Sequence, residues 1–142
     1  MTLAKTGYGG EFHLHNGTTL TELVEVVSFT LPNGETETIE ATHLKSPNRR
    51  REYIAGMIED GELEVMLNYV PGSATDLLIV TAATSGDTRA FMAVIPRETA
   101  DWEIAGNCIV TGYDRGSVEA DGKMEATMTV RLTGATTEAA AS

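Results

Sequence analysis

The chain has 142 residues, 22% of them charged and 42% hydrophobic, and its 21 acidic against 10 basic side chains give a formal net charge of −11. A chain of this length buries roughly 68 to 70% of its unfolded surface, enough for one two-layer core, so residues 1–142 are expected to form a single domain. The hydrophobic content excludes wholesale disorder, and the acidic balance excludes tight nucleic-acid binding, which needs cations to neutralise phosphates.

In chain order the predicted elements are mostly strands. Residues 1–10 are Gly-rich and read as an N-terminal arm, Glu11 to His15 as a short strand, and Asn16-Gly17-Thr18 as a turn. Leu23 to Leu31 is rich in β-branched and aromatic residues and stops at Pro32; Asn33-Gly34 then predicts a tight turn, with Thr36 to Thr42 returning as a hairpin. After Asp60-Gly61, residues 62–69 alternate, with Leu63, Val65, Leu67 and Tyr69 on one face and Glu62, Glu64, Met66 and Asn68 on the other. Ser73 to Asp76 fits a capping box, Leu77 to Thr84 supplies helix formers and Gly86 suits the exit. Leu78-Ile79-Val80 taken alone would equally fit a buried strand, so the caps decide for a helix. Arg89 to Ile95, Glu103 to Tyr113 and Lys123 to Thr133 read as further strands, the last two joined by a turn at Asp121-Gly122. Residues 135–142 are small and polar and read as a loose tail.

One excursion stands apart from this pattern. Lys45, Arg49, Arg50 and Arg51, four of the ten cations, fall between two strand-like segments. A basic loop on an acidic body is a contact device, and its expected partner is another acidic copy of the same protein.

Motifs for chemistry are missing. His13 and His15 share a side of their strand, yet two imidazoles are too few for a closed metal site, and His43 lies elsewhere in a loop. Cys108 is the only cysteine and falls in a strand pattern, which marks a packed apolar residue rather than a nucleophile. Walker, dinucleotide and Gly-x-Ser-x-Gly patterns do not occur. The expectation is therefore no catalytic residue, no metal and no cofactor. Trp102 opens a strand as a core or subunit-interface anchor. The Met1 to Lys5 start lacks an apolar leader core, and no apolar run approaches membrane-spanning length, so a soluble protein with no membrane partner is expected.

From about Phe29 to Gly134 the chain resembles the tail tube proteins of long, non-contractile-tailed bacteriophages and of phage-derived gene transfer agents. The resemblance rests on a strand ending in Leu31-Pro32, the Ile39 to Thr42 step, Ser46-Pro47 with the Arg run, and Gly56-Met57 with Gly61 to Val65. It continues in Asn68-Tyr69 with Pro71-Gly72-Ser73 opening a helix, and closes with Met124 to Thr127 and Gly134. It implies a mainly β fold, a β-sandwich with one short flanking α-helix and a long inter-strand loop. It further implies hexameric rings stacked into a tube, with His43 through Asp60 as the ring-stacking loop. Tape measure, tail terminator and distal tail proteins are the implied partners. The implied location is the tail of a virion or phage-like particle assembled in the bacterial host cytoplasm, with double-stranded DNA passing through but not tightly bound.

In such a tube a shared barrel of roughly 24 strands, spaced about 4.8 Å and tilted about 40°, has a backbone diameter of about 48 Å, wide enough for a duplex. An acidic wall would repel that duplex over about 8 Å in physiological salt. Glu62, Glu64, Glu119 and Glu125, taken as polar-face residues of clean strands, are the candidate lining residues. Two other readings are a tube-forming component of a secretion apparatus and a monomeric β-sandwich binding module.

Overall fold

A computed structural model describes residues 8–97 and 99–141; the expected arm falls outside them up to residue 7. Among the described residues nine strands and one α-helix follow in order: β1 Glu11–His15, β2 Leu20–Glu22, β3 Val26–Phe29, β4 Glu35–Glu40, β5 Tyr53–Glu59, β6 Glu62–Asn68, α1 Ala74–Ser85, β7 Arg89–Ile95, β8 Trp102–Arg115 and β9 Glu125–Ala140. Seven strands form one antiparallel sheet in the order β2-β1-β7-β8-β9-β6-β3, and β4 pairs with β5 apart from it.

The sandwich is this one sheet curled over on itself. Phe12 of β1 and Phe29 of β3 belong to strands near opposite edges, yet their ring centroids are 5.7 Å apart. Alternation places Leu63, Val65 and Leu67 of β6 and Ala126, Met128 and Val130 of β9 inside the curl, with Phe12, Leu14, Phe91 and Cys108. Burial pushes the Cys108 thiol up to about 12, which keeps it a packed apolar group.

Helix α1 closes the core through Ile79 and Ala82. The Ser73 hydroxyl oxygen accepts from the Asp76 N–H at 3.2 Å, and Gly86 leaves the helix at φ 67°, the left-handed conformation that glycine tolerates. Asp76 also accepts from the Gly72 N–H and from the Tyr113 hydroxyl, at 3.1 and 3.0 Å, tying the first turn to β8. Burial, and then the hydrogen bond to Asp76, raise the Tyr113 phenol above its ordinary range. At the other end, Asp87 is held below the usual carboxylate range by the Ser85 hydroxyl and then by Arg89.

Four expectations need correction. The run Leu23 to Leu31 is interrupted at Glu25, whose φ of 65° breaks the extended backbone, so the strand shortens to Val26–Phe29. It pairs with β6, Phe29 opposite Val65, and forms no hairpin with the segment after Asn33-Gly34. The physical reason is packing: Phe29 reaches the core beside β6, whereas Glu35–Glu40 has no buried position at all. Third, residues 43–60 are not one loop, because Tyr53–Glu59 is strand β5.

The fourth correction concerns residues 135–142. Strand β9 runs on to Ala140, its residues paired with the start of β8 in the register Trp102↔Ala140 to Ala105↔Thr137. Gly134, at φ 79°, carries the strand past its irregularity. The Trp102 indole N–H donates to Glu138 at 2.9 Å, and the Arg97 guanidinium lies 4.9 Å from the ring centroid. A Cβ placed on Gly106 would sit 3.0 Å from Thr136 Cγ2, so the segment packs tightly there. Deleting residues 135–142 should therefore cost about 2 kcal/mol or more, from lost ladder hydrogen bonds at about 1 kcal/mol each and an uncovered Trp102. Urea unfolding checks this; an unchanged midpoint would mark the segment as dispensable.

Candidate assembly surfaces

The four cations lie at the end of the β4–β5 hairpin, in the connection 41–52. Its rungs join Glu40 to Tyr53, Ile39 to Ile54 and Thr36 to Ile58. A register shift lets one extra residue of β5 bulge between Thr36 and Thr38. Directly opposed residues share a face, so Tyr53, Ala55 and Ile58 lie with Thr36 and Thr38, and Ile39 lies with Ile54 on the reverse. Both faces carry large apolar side chains, and both are open: Tyr53 and Ile54 are each 55% exposed and Met57 80%. An isolated two-stranded hairpin is marginal in water, and exposed apolar surface on such an element marks an interface.

Glu52 organises the connection. Its carboxylate accepts from the Ser46 hydroxyl at 2.7 Å and lies 3.2 Å from His43 Nε2, while its backbone closes onto Ala41 and Thr42. Pro47–Arg49 makes a 3-10 turn whose Asn48 and Arg49 adopt left-handed φ values of 54° and 58°. This geometry sends the chain through Lys45, Arg49, Arg50 and Arg51, all exposed, and among the described residues none of them forms an ion pair. The sequence reading found these cations and missed Glu52 and the flanking apolar residues. The signal for the latter was there, in the apolar run Tyr53 to Ile58 bounded by Asp60-Gly61.

The four carboxylates expected to line a channel do not share one face. Glu62 and Glu64 point out of the curl from β6, and Glu125, opposite Asn68, is exposed at the start of β9. Glu119 is not on a strand; it lies in the β8–β9 connection, where the Ser117 hydroxyl donates to it at 3.0 Å. Arg131 shares the outer face of β9 and binds both Glu59 and Glu62, the latter at 3.2 Å. Glu64 and Glu125 keep their charge uncompensated by any ion pair among the described residues.

The three histidines do not converge. His13 Nε2 lies 2.9 Å from Glu11, His15 Nδ1 accepts from the Gly17 N–H at 3.0 Å, and His43 sits in the hairpin connection. Asn16 caps the β1–β2 turn by accepting from the N–H groups of Thr18 and Thr19.

Among solved structures, the fold matches the tail of an empty gene transfer agent particle with C6 symmetry (TM-score 0.77, 17% identity, covering 96% of this chain and 100% of that one). It also matches the SPP1 tail tube (0.69, 15% identity, 96% and 79%) and a chain of the anti-feeding prophage baseplate (0.73, 11% identity, 99% and 98%). A comparison with curated proteins gives no match. The family model described as lambda phage tail tube protein matches residues 11–139, and the chain belongs to that family.

Proposed function

We propose that the chain is the structural subunit of a phage or gene transfer agent tail tube in which six copies close a ring, rings stack, and double-stranded DNA passes without being held. The observation that carries this reading is the β4–β5 hairpin, exposed and apolar on both faces and cationic at its end, on a chain of net charge −11. Six copies per ring is supported by the C6 symmetry of the gene transfer agent tail that shares the fold. The role is mechanical rather than catalytic. Assembly takes place in the bacterial cytoplasm, with tape measure, tail terminator and distal tail proteins as partners; a tube-terminating cap is among the solved structures of similar fold.

Negative-stain microscopy of the concentrated protein tests it: rings or tubes are expected, and monodisperse small particles would refute it. Edge strands give a finer test. β2 and β3 each leave one side unpaired, and a ring joined edge to edge would cover them. Those amides of Leu20–Glu22 and Val26–Phe29 that point away from β1 and β6 should exchange readily in the monomer and slow on assembly. Equal exchange in both forms would count against a shared barrel.

A further inference from the structure

An apolar groove of about 500 Å³ opens beside the free edge of β3, with Val26, Val27, Phe29 and Leu31 on one side, Val94 and Pro96 on the other, and Tyr8 to Gly10 of the chain's own N-terminal segment along its wall. Val27 is 52% exposed and Leu31 40%, so the groove presents unsatisfied apolar surface. Its flank is acidic. Val94 stands directly opposite Glu11 of β1 and Glu103 of β8, and the three therefore form one row on the outer face of the sheet.

The hairpin described above carries the complementary set on the same chain. Tyr53 and Ile54 are large, apolar and half exposed, and Arg49 to Arg51 precede them by only two to five residues. At about 3.3 Å per residue, a hairpin end seated in the groove brings these cations within reach of an acidic row beside it. The hairpin does not lie against its own body, since no residue of β4 or β5 is buried.

We propose that this groove receives the Tyr53–Ile54 end of the β4–β5 hairpin of a second copy, with Arg49 to Arg51 facing Glu11 and Glu103. The proposal rests on the tube reading and names the receiving surface for its contact hairpin. The two halves are different surfaces, so the contact is head-to-tail and repeats along the tube axis from one ring to the next.

The test uses the full chain with paired cysteines at exposed positions, Val27→Cys with Ile54→Cys, and as control Val27→Cys with Leu77→Cys on α1, where Leu77 is 58% exposed. Cys108 is buried and serves as a silent background. A short thiol cross-linker should give a covalent ladder of chains from the first pair only, and only in the assembled form. The thiol at position 27 should also react freely with a maleimide in the monomer and at least ten times more slowly in tubes. Tubes that form without the 27–54 ladder, or with an equal ladder from the control, would overturn the docking while leaving the tube reading intact. Protection of position 27 already in the monomer would mean that a segment of the chain itself fills the groove, and the proposal would fall. A chain that stays monomeric at every concentration would remove the tube reading and the docking together.

Discussion

Replacing Arg49, Arg50 and Arg51 together by Glu should leave a folded monomer that no longer stacks. All three are exposed at the hairpin end and form no ion pair among the described residues, so little within the chain is lost. The fold should keep its stability to within about 0.5 kcal/mol, as surface changes of this kind do. Between copies the balance is different. The proposed contact of these cations with an acidic neighbour would become repulsive, on a chain already at −11. A ring-to-ring interface of six subunits repeats each loss, so about 18 exposed pairs at about 0.5 kcal/mol each remove about 9 kcal/mol. Exchange to Lys instead keeps the charge and forfeits only bidentate geometry, and should weaken stacking without abolishing it. Circular dichroism establishes that the variant is folded, and sedimentation with microscopy reads assembly. Tubes of normal length and stability from the triple variant would remove the loop from the stacking interface.

The parts of this fold that were legible in the sequence are those whose side chains alternate or cap. Residues 62–69 and 124–132 alternate because one face of β6 and β9 fills the core, and Ser73 and Gly86 bracket α1 because orphan backbone groups at helix ends need partners. Pairing was less legible. Asn33-Gly34 suggested a hairpin between neighbours in sequence, but the choice of partner was settled by where Phe29 packs, a long-range matter. Residues 135–140 carry no apolar pattern, because their place in β9 is fixed by backbone pairing with β8 and by Glu138 accepting from the Trp102 indole N–H. At the candidate assembly surface the cations were evident from their rarity. Glu52 was not, since its role is to fold the loop around Ser46 and His43, a local geometry that leaves no spacing signature.

Replacing Glu64 and Glu125 by Lys should slow DNA passage and make it depend on salt, if the outer face of β6 and β9 lines the bore. Both carboxylates are exposed, and neither is held by an ion pair among the described residues, so their loss should barely alter folding. Glu62 is a poorer choice, because its bond to Arg131 also helps tie β6 to β9 near the hairpin base. Glu119 serves as the off-strand control, since it lies in the β8–β9 connection. An acidic face in that position would repel the duplex over about one Debye length and make no phosphate contact. With two lysines per subunit, a ring of six adds about 12 cations, and each one that neutralises a phosphate adds about 0.9 to the slope of log affinity against log salt. Ejection from particles carrying the double variant should be slow at low salt and recover as salt rises, whereas Glu119→Lys should leave it unchanged. Ejection from the double variant as fast as wild type at every salt concentration would turn this face away from the bore and leave its carboxylates to keep the outside of the tube soluble.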